Sequence, residues 1–405
     1  MNGRHEGRPL SLVSVLNSRQ FGPYVLGASI SNIGTWFQNI AQSVLVYRLT
    51  GSTFLVGVVN FSMFISLLVL LPWAGPMADR HDRRRLLLAT QFAAFCVSSA
   101  LWFVVAVGAE NTGFVVCAAL FMGVATAFSV PALQSLVPAL VPVSHLSRAL
   151  SLNAVSFNLA RAVGPVLGAA VVVGLGFAWA FFLNAVSFLA FVVALLVIRP
   201  QGSVGIAVEP RRLRDTALML REEGRLLGYL VVVALASLTA DPINTIGPEF
   251  AIRIYGYQDT FSGWMIGAFG LGAVAGALVV SNVEIPRGGL VASMLFVEGF
   301  GMAVFSLSGG PVSGLIGLGV AGFGWLATVM LATTAIQVLV ADGHRGRVMA
   351  LWSVAFMGVR PISSLASGLL ASAGGPRLAA LLFTLPAVLG CVYLASGRSS
   401  ISSEV

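Results

Sequence analysis

Gly75-Pro76-Met77-Ala78-Asp79-Arg80-His81-Asp82-Arg83-Arg84-Arg85 decides how the rest of the chain is read. The stretch lies between two long apolar runs, and its last seven positions are all charged or titratable. Gly75 and Pro76 are expected to end one helix. Four arginines then hold a short hairpin loop where anionic lipid headgroups lie, on the cytoplasmic side of a membrane.

Composition agrees. Of 405 residues, 57% are apolar and only 9% are charged, with 45 glycines and a mean hydropathy of +0.92. A soluble domain carries about 25% charge, so the chain reads as a polytopic membrane protein. Its net charge of +8 comes from arginine, for the sequence contains no lysine. A Walker A loop needs a lysine on the phosphates, and a Schiff base needs a lysine amine, so both chemistries are excluded. Nucleic acid is not indicated, because the arginines sit in short loops between apolar spans. Cys96, Cys117 and Cys391 all fall in apolar segments without paired spacing, which argues against a disulfide framework and a zinc site. His5, His81, His145 and His344 lie in the expected tail or loops. No metal and no cofactor is therefore expected. Neither H-E-x-x-H nor G-x-S-x-G occurs, which weighs against an enzyme.

A span needs about 20 apolar residues. Twelve are expected, near 22–46, 53–74, 86–108, 113–137, 149–173, 176–198, 226–250, 262–281, 288–308, 311–340, 348–372 and 377–396. With the N-terminus inside, only Arg48, Arg253 and Arg377 fall in outer loops, and Arg161 and Arg360 fall within spans. All other arginines are cytoplasmic, as the positive-inside rule asks. Both termini are then cytoplasmic. The segment 199–225, rich in Arg and Glu, divides six spans from six, and its second half is read as an amphipathic helix on the inner membrane face. The expected plan is a cytoplasmic tail (1–21), a six-helix bundle (22–198), a linker (199–225), a second six-helix bundle (226–396) and a tail (397–405).

The halves repeat faintly at a constant offset. Arg148 lies over Arg347, Leu152 over Leu351, Phe157 over Phe356 and Arg161 over Arg360, which makes the fifth and eleventh spans equivalent.

Gly75, Asp79, Arg80, Arg83 and Arg84 fall at the spacing G-x-x-x-D-R-x-G-R-[RK], except that Asp82 stands where the pattern has Gly. In this the chain resembles the major facilitator superfamily, whose second and third helices are joined by that loop. Further stretches resemble its bacterial drug and siderophore exporter branch, the group of the enterobactin exporter and macrolide efflux proteins. They include Asn32–Gln38, Pro131–Pro138, Asn158–Pro165, Phe182–Phe188 and Arg345–Met349. The resemblance implies an all-α membrane protein of twelve helices in two pseudo-symmetric bundles, switched by the loop residues. It further implies a transporter in the bacterial inner membrane that is functional as a monomer, with a small-molecule substrate, protons and lipids as its partners.

Arg161, Gly164, Pro165 and Gly168 lie in a segment that resembles the antiporter motif G-x-x-x-G-P-x-x-G-G, with Ala160 and Ala169 replacing its first and last Gly. Small residues let helices approach closely, and Pro165 removes a backbone hydrogen bond and bends the helix. Generic small-residue packing is the alternative. Charges inside spans are costly and usually functional. Asp241, before Pro242 in the seventh span, is the first candidate for a proton site, and Glu298 in the ninth is the second. Arg360 is the candidate basic partner. Static pairing is the other reading for Glu298, Arg161 and Arg360. Trp36, Gln38, Asn39, Gln42, Asn244 and Trp264 are expected to line a cavity suited to a bulky, partly apolar organic molecule, although aromatics in spans often only pack.

The expectation is export of a small organic molecule by proton antiport and alternating access, with the proton gradient as energy source. An importer, a uniporter or a lipid flippase of the same fold remains open. A membrane enzyme or scaffold is the reading from a different class.

Overall fold

The computed structural model describes residues 18–142, 145–198, 224–340 and 345–395. The tails and most of the linker, with its expected amphipathic helix, lie outside these residues. The first six helices are α1 (Phe21–Thr50), α2 (Thr53–Arg80), α3 (Arg83–Ala106), α4 (Thr112–Leu140), α5 (Leu146–Leu175) and α6 (Phe177–Val197). α7 runs in two pieces, Gly224–Ala240 and Ile243–Arg253. α8 (Ser262–Val280), α9 (Gly288–Leu307) and α10 (Pro311–Leu339) follow. α11 is again broken, into Arg345–Met357 and Arg360–Gly374, as is α12, into Pro376–Leu382 and Leu385–Ala395. Eleven of these spans are long and apolar enough to cross a membrane on composition alone. α1 is the twelfth. Its 30 residues suffice in length, but Asn32, Gln38, Asn39 and Gln42 lower its hydropathy, and it survives in the membrane by turning them inward.

Turn chemistry sets the helix ends. Gly51 takes φ 62°, and its N–H closes on the Tyr47 carbonyl, a left-handed cap that only glycine adopts cheaply. The Asn111 side chain caps α4. One expectation is corrected here: Gly75 and Pro76 do not end α2, which continues through both to Arg80. The turn that follows is then only two residues long. Asp82 caps α3 by accepting from the Arg85 N–H at 2.8 Å, a reason for an aspartate where the loop pattern has glycine.

The helices form two bundles related by a pseudo-twofold. In the first, α1 packs on α5 and α6, and α4 on α2 and α3. In the second, α10 packs on α8 and α9 as α4 does on α2 and α3. Across the divide, α5 packs on α8 and α2 on the second piece of α11, each pairing the image of the other. These contacts are close because glycine permits them. A Cβ on Gly57 would lie 2.5 Å from the Ser364 carbonyl oxygen, and one on Gly263 would lie 2.6 Å from that of Pro165.

Core packing shows where the open space is. The second bundle has one large buried core, which also takes in Ile40 and Val44 of α1. The first bundle has its core in three pieces. One lies around Tyr24, Leu136 and Leu195, one around Leu45, Leu101 and Phe181, and a small one around Met122 and Phe188. A cavity parts them. Outward-facing apolar side chains such as Phe121, Leu278, Val312 and Leu389 are exposed and form the lipid-facing surface.

Candidate functional site

The cavity is about 270 Å³ and lies against the first bundle, with the breaks of α7 and α11 at its edge. α1 supplies one wall through Asn32, Thr35, Trp36, Asn39 and Ser43, a stripe at helical spacing on a single face. α2 adds Asn60, Met63 and Phe64; α3 adds Gln91; α5 adds Asn153 and Phe157. From the second bundle come Asn244 and Arg360. Carboxamides and aromatic rings are set among aliphatic and hydroxyl side chains, and among the described residues no carboxylate lines the wall.

Asp241 and Arg360 meet where their helices break. Pro242 has no N–H to donate, so α7 stops at Ala240 and restarts at Ile243. At the break the Asp241 carbonyl accepts from both the backbone N–H and the side chain of Asn244, at 3.1 and 3.0 Å. Arg360 begins the second piece of α11, so the Asp241 carboxylate faces the positive end of that helix and accepts from Ser364 Oγ at 3.3 Å. Arg360 Nε lies 4.0 Å from Asp241 Oδ1. At that separation two charges attract by roughly 4 kcal/mol for an effective dielectric of 20. Withdrawing each ion from water costs several kcal/mol, so the attraction alone does not offset both. The rings of Phe64 and Phe356 help, with centroids 5.2 and 5.1 Å from the guanidinium carbon of Arg360.

Arg161 approaches the same centre from α5. It is buried behind Trp36, with its guanidinium carbon 4.1 Å from the Trp325 ring, 5.5 Å from Phe269 and 5.6 Å from Trp36. Arg360 and Asp241 are the charges it feels. The two arginines of the sequence repeat thus come to one centre, where Arg360 is the one paired with Asp241.

The other residues singled out in the sequence are spread more widely. Trp36, Asn39 and Asn244 line the cavity. Gln38 and Gln42 point the other way round α1: Gln38 Oε1 accepts from Ser98 Oγ at 2.6 Å and from Asn184 Nδ2 at 2.7 Å, inside the first bundle. Trp264 is half exposed and off the cavity wall. Glu298 is fully buried in the second bundle, and neither carboxylate oxygen has a hydrogen-bond partner among the described residues. Gly164 packs so closely on α1 that a Cβ would lie 2.6 Å from Trp36 Cβ, and one on Gly168 would lie 2.9 Å from Phe37 Cα. In the loop, Arg83 donates to the Ser135 carbonyl at 3.0 Å, and Arg84 donates to the carbonyls of Leu195 and Leu196 at 2.5 and 2.7 Å. The loop therefore ties α3 to the ends of α4 and α6. The Asp79 side chain is outside the described residues, and Arg80 is exposed.

A second cluster was not anticipated. At the arginine-poor ends of the helices, Arg48 grips Asp259 with Nε and Nη2, at 2.6 and 2.7 Å, joining the two bundles. Glu249 accepts from Thr53 Oγ1 across the same divide and pairs with Arg253 at 3.0 Å. One level deeper, Asn60 Nδ2 donates to Thr245 Oγ1 at 3.2 Å. The described bundle-to-bundle bonds thus gather from the arginine-poor ends to mid-depth, whereas the cavity extends to Tyr24 and Asn153 near the arginine-rich ends.

Residues 12–399 match the family model described as transmembrane secretion effector. Among curated proteins, the chain is 25% identical over 351 residues to the enterobactin exporter EntS of Salmonella choleraesuis, covering 82% of this chain and 81% of that one. Among solved structures, it superposes with a TM-score of 0.73 on a bacterial homologue of the iron transporter ferroportin, at 16% identity, covering 98% of this chain and 100% of that one. A bacterial homologue of the human lysosomal transporter Spinster gives the same TM-score at 12% identity, with 97% and 98% covered. The chain is a multi-pass membrane transport protein, not an enzyme, and belongs to the transmembrane secretion effector family of the major facilitator superfamily.

Proposed function

We propose that the chain exports a small, partly apolar organic molecule across the bacterial inner membrane, by proton antiport and alternating access. Its arginine-rich face is cytoplasmic in this reading, as are both termini, and the monomer is the working unit. The observation that carries it is a cavity closed at the arginine-poor ends and bordered at its deep edge by Arg360, with Asp241 buried behind it. Such a cavity is loaded from the cytoplasm. Trp36, Phe64 and Phe157 offer apolar surface, and Asn32, Asn39 and Asn244 offer hydrogen bonds, a pairing typical of ligand pockets.

In the cycle, substrate enters and the Arg48–Asp259 and Thr53–Glu249 contacts release, so that the cavity opens outward. Asp241 then takes a proton from outside. Neutral, it no longer holds Arg360, and the proton leaves to the cytoplasm when the bundles rock back.

Relatives named as enterobactin exporters support export over import, and a siderophore or drug-like compound as cargo. The test is transport in inverted membrane vesicles acidified inside. A panel of siderophores, macrolides and aromatic drugs should include one that accumulates only with this chain and only with the gradient. Accumulation in right-side-out vesicles instead would make it an importer.

A further inference from the structure

We propose that Arg360 selects the substrate by charge, so that the cavity takes organic anions and turns away organic cations. The proposal deepens, and rests on, the reading of this cavity as the substrate site.

Charge accounting at the centre leads there. Arg161, buried among Trp36, Phe269 and Trp325, and Arg360, 4.0 Å from Asp241, stand around a single carboxylate, so formal charges leave the cluster one positive charge in excess. Among the described residues no aspartate or glutamate lines the cavity, whereas Arg360 does. Asp241 is 4% exposed and off the wall, so a cationic ligand meets the guanidinium before it meets the carboxylate.

Arg360 is also underused where it stands. Its separation from Asp241, 4.0 Å, is beyond a direct hydrogen bond, so the pair is held by charge alone. Phe64 and Phe356 pack against the guanidinium and fix it. Its five N–H donors form a planar fork that suits a carboxylate or phenolate oxygen pair, and the carboxamides of Asn39, Asn60 and Asn244 sit on the same cavity wall to bind uncharged polar groups. An entering anion balances the excess charge. A cation would bring a third positive charge into a low-dielectric site, where like charges cost most.

The test compares three ligands on one ring system: naphthalene-2-carboxylate, 2-naphthamide and 2-naphthylmethylammonium. Each is titrated calorimetrically into the full chain in lipid nanodiscs. The carboxylate should bind about tenfold or more tightly than the amide, the size expected for hydrogen bonds to a charged partner, and the ammonium most weakly. Arg360→Gln should bring carboxylate and amide to similar affinity while amide binding persists. Arg360→Lys, which keeps the positive charge at this position, should keep the carboxylate ahead of the ammonium; this arm decides the matter if Arg360→Gln fails to fold. Ammonium binding as tight as carboxylate, or an unchanged preference in Arg360→Gln, overturns charge selection while leaving the cavity as the substrate site. Binding of none of the three overturns the cavity reading and the selection with it.

Discussion

Arg360 Nε stands 4.0 Å from Asp241 Oδ1 at the point where each residue's own helix is broken. Both groups come from the second bundle, yet Arg360 opens onto a cavity whose walls belong mostly to the first. A change of charge here is felt on both sides of the bundle divide. Arg161, the repeat partner of Arg360, completes the cluster from the first bundle. The proposed cycle uses that link, since it places substrate in the cavity of the first bundle and the proton on Asp241 of the second.

In the proposed cycle the Arg48–Asp259 pair is a latch that sets how readily the arginine-poor side opens. Arg48→Ala leaves Asp259 buried without its bidentate partner. The arginine is nearly half exposed, so the loss is discounted to about 1–2 kcal/mol, roughly a tenfold shift between conformers. Hydrogen–deuterium exchange should rise in the turn Asp259–Phe261 and in the first turn of α2. Exchange equal to wild type in both segments contradicts a latch.

Gly164 and Gly174 lie on the same helix and separate close packing from composition. A side chain at Gly164 runs into Trp36 and the Ile33 carbonyl, while one at Gly174 meets nothing within 4 Å. Gly164→Leu should cost about 1–3 kcal/mol of stability or jam transport, and Gly174→Leu should do neither. Thermal unfolding and transport rate, measured together, read both. Equal behaviour of the two variants removes α5 from the switch.

Much of the fold was legible because lipid imposes length and apolarity on every span, and because arginine marks one side. α2 was misjudged at Gly75 and Pro76, since a proline's lost hydrogen bond is tolerated where a membrane helix has neighbours to support it. The site was legible only in part. Asp241, Arg161 and Arg360 stood out as charges in apolar runs. Gln38 did not show that it faces away from Asn39, because adjacent residues on a helix point about 100° apart and only packing says which faces the cavity. The Arg48–Asp259 pair bridges 211 positions, and one sequence carries no signal that joins two loop residues so far apart.

Glu298 tests whether burial alone makes an acid a proton site. With both oxygens buried and without hydrogen-bond partners among the described residues, it gains nothing from its charge. Glu298→Gln should therefore leave gradient-driven transport intact and the melting temperature equal or higher. Loss of coupling in this variant, with folding preserved, transfers the proton site from Asp241 to Glu298.

The most direct measurement is of Asp241→Asn in proteoliposomes, with export driven by a pH gradient and, separately, substrate exchange at equal concentration without one. Asn keeps the size and hydrogen bonding of the helix break but cannot carry a proton. Uphill export should vanish while exchange continues at a rate near wild type. Uphill export retained by Asp241→Asn contradicts Asp241 as the proton site.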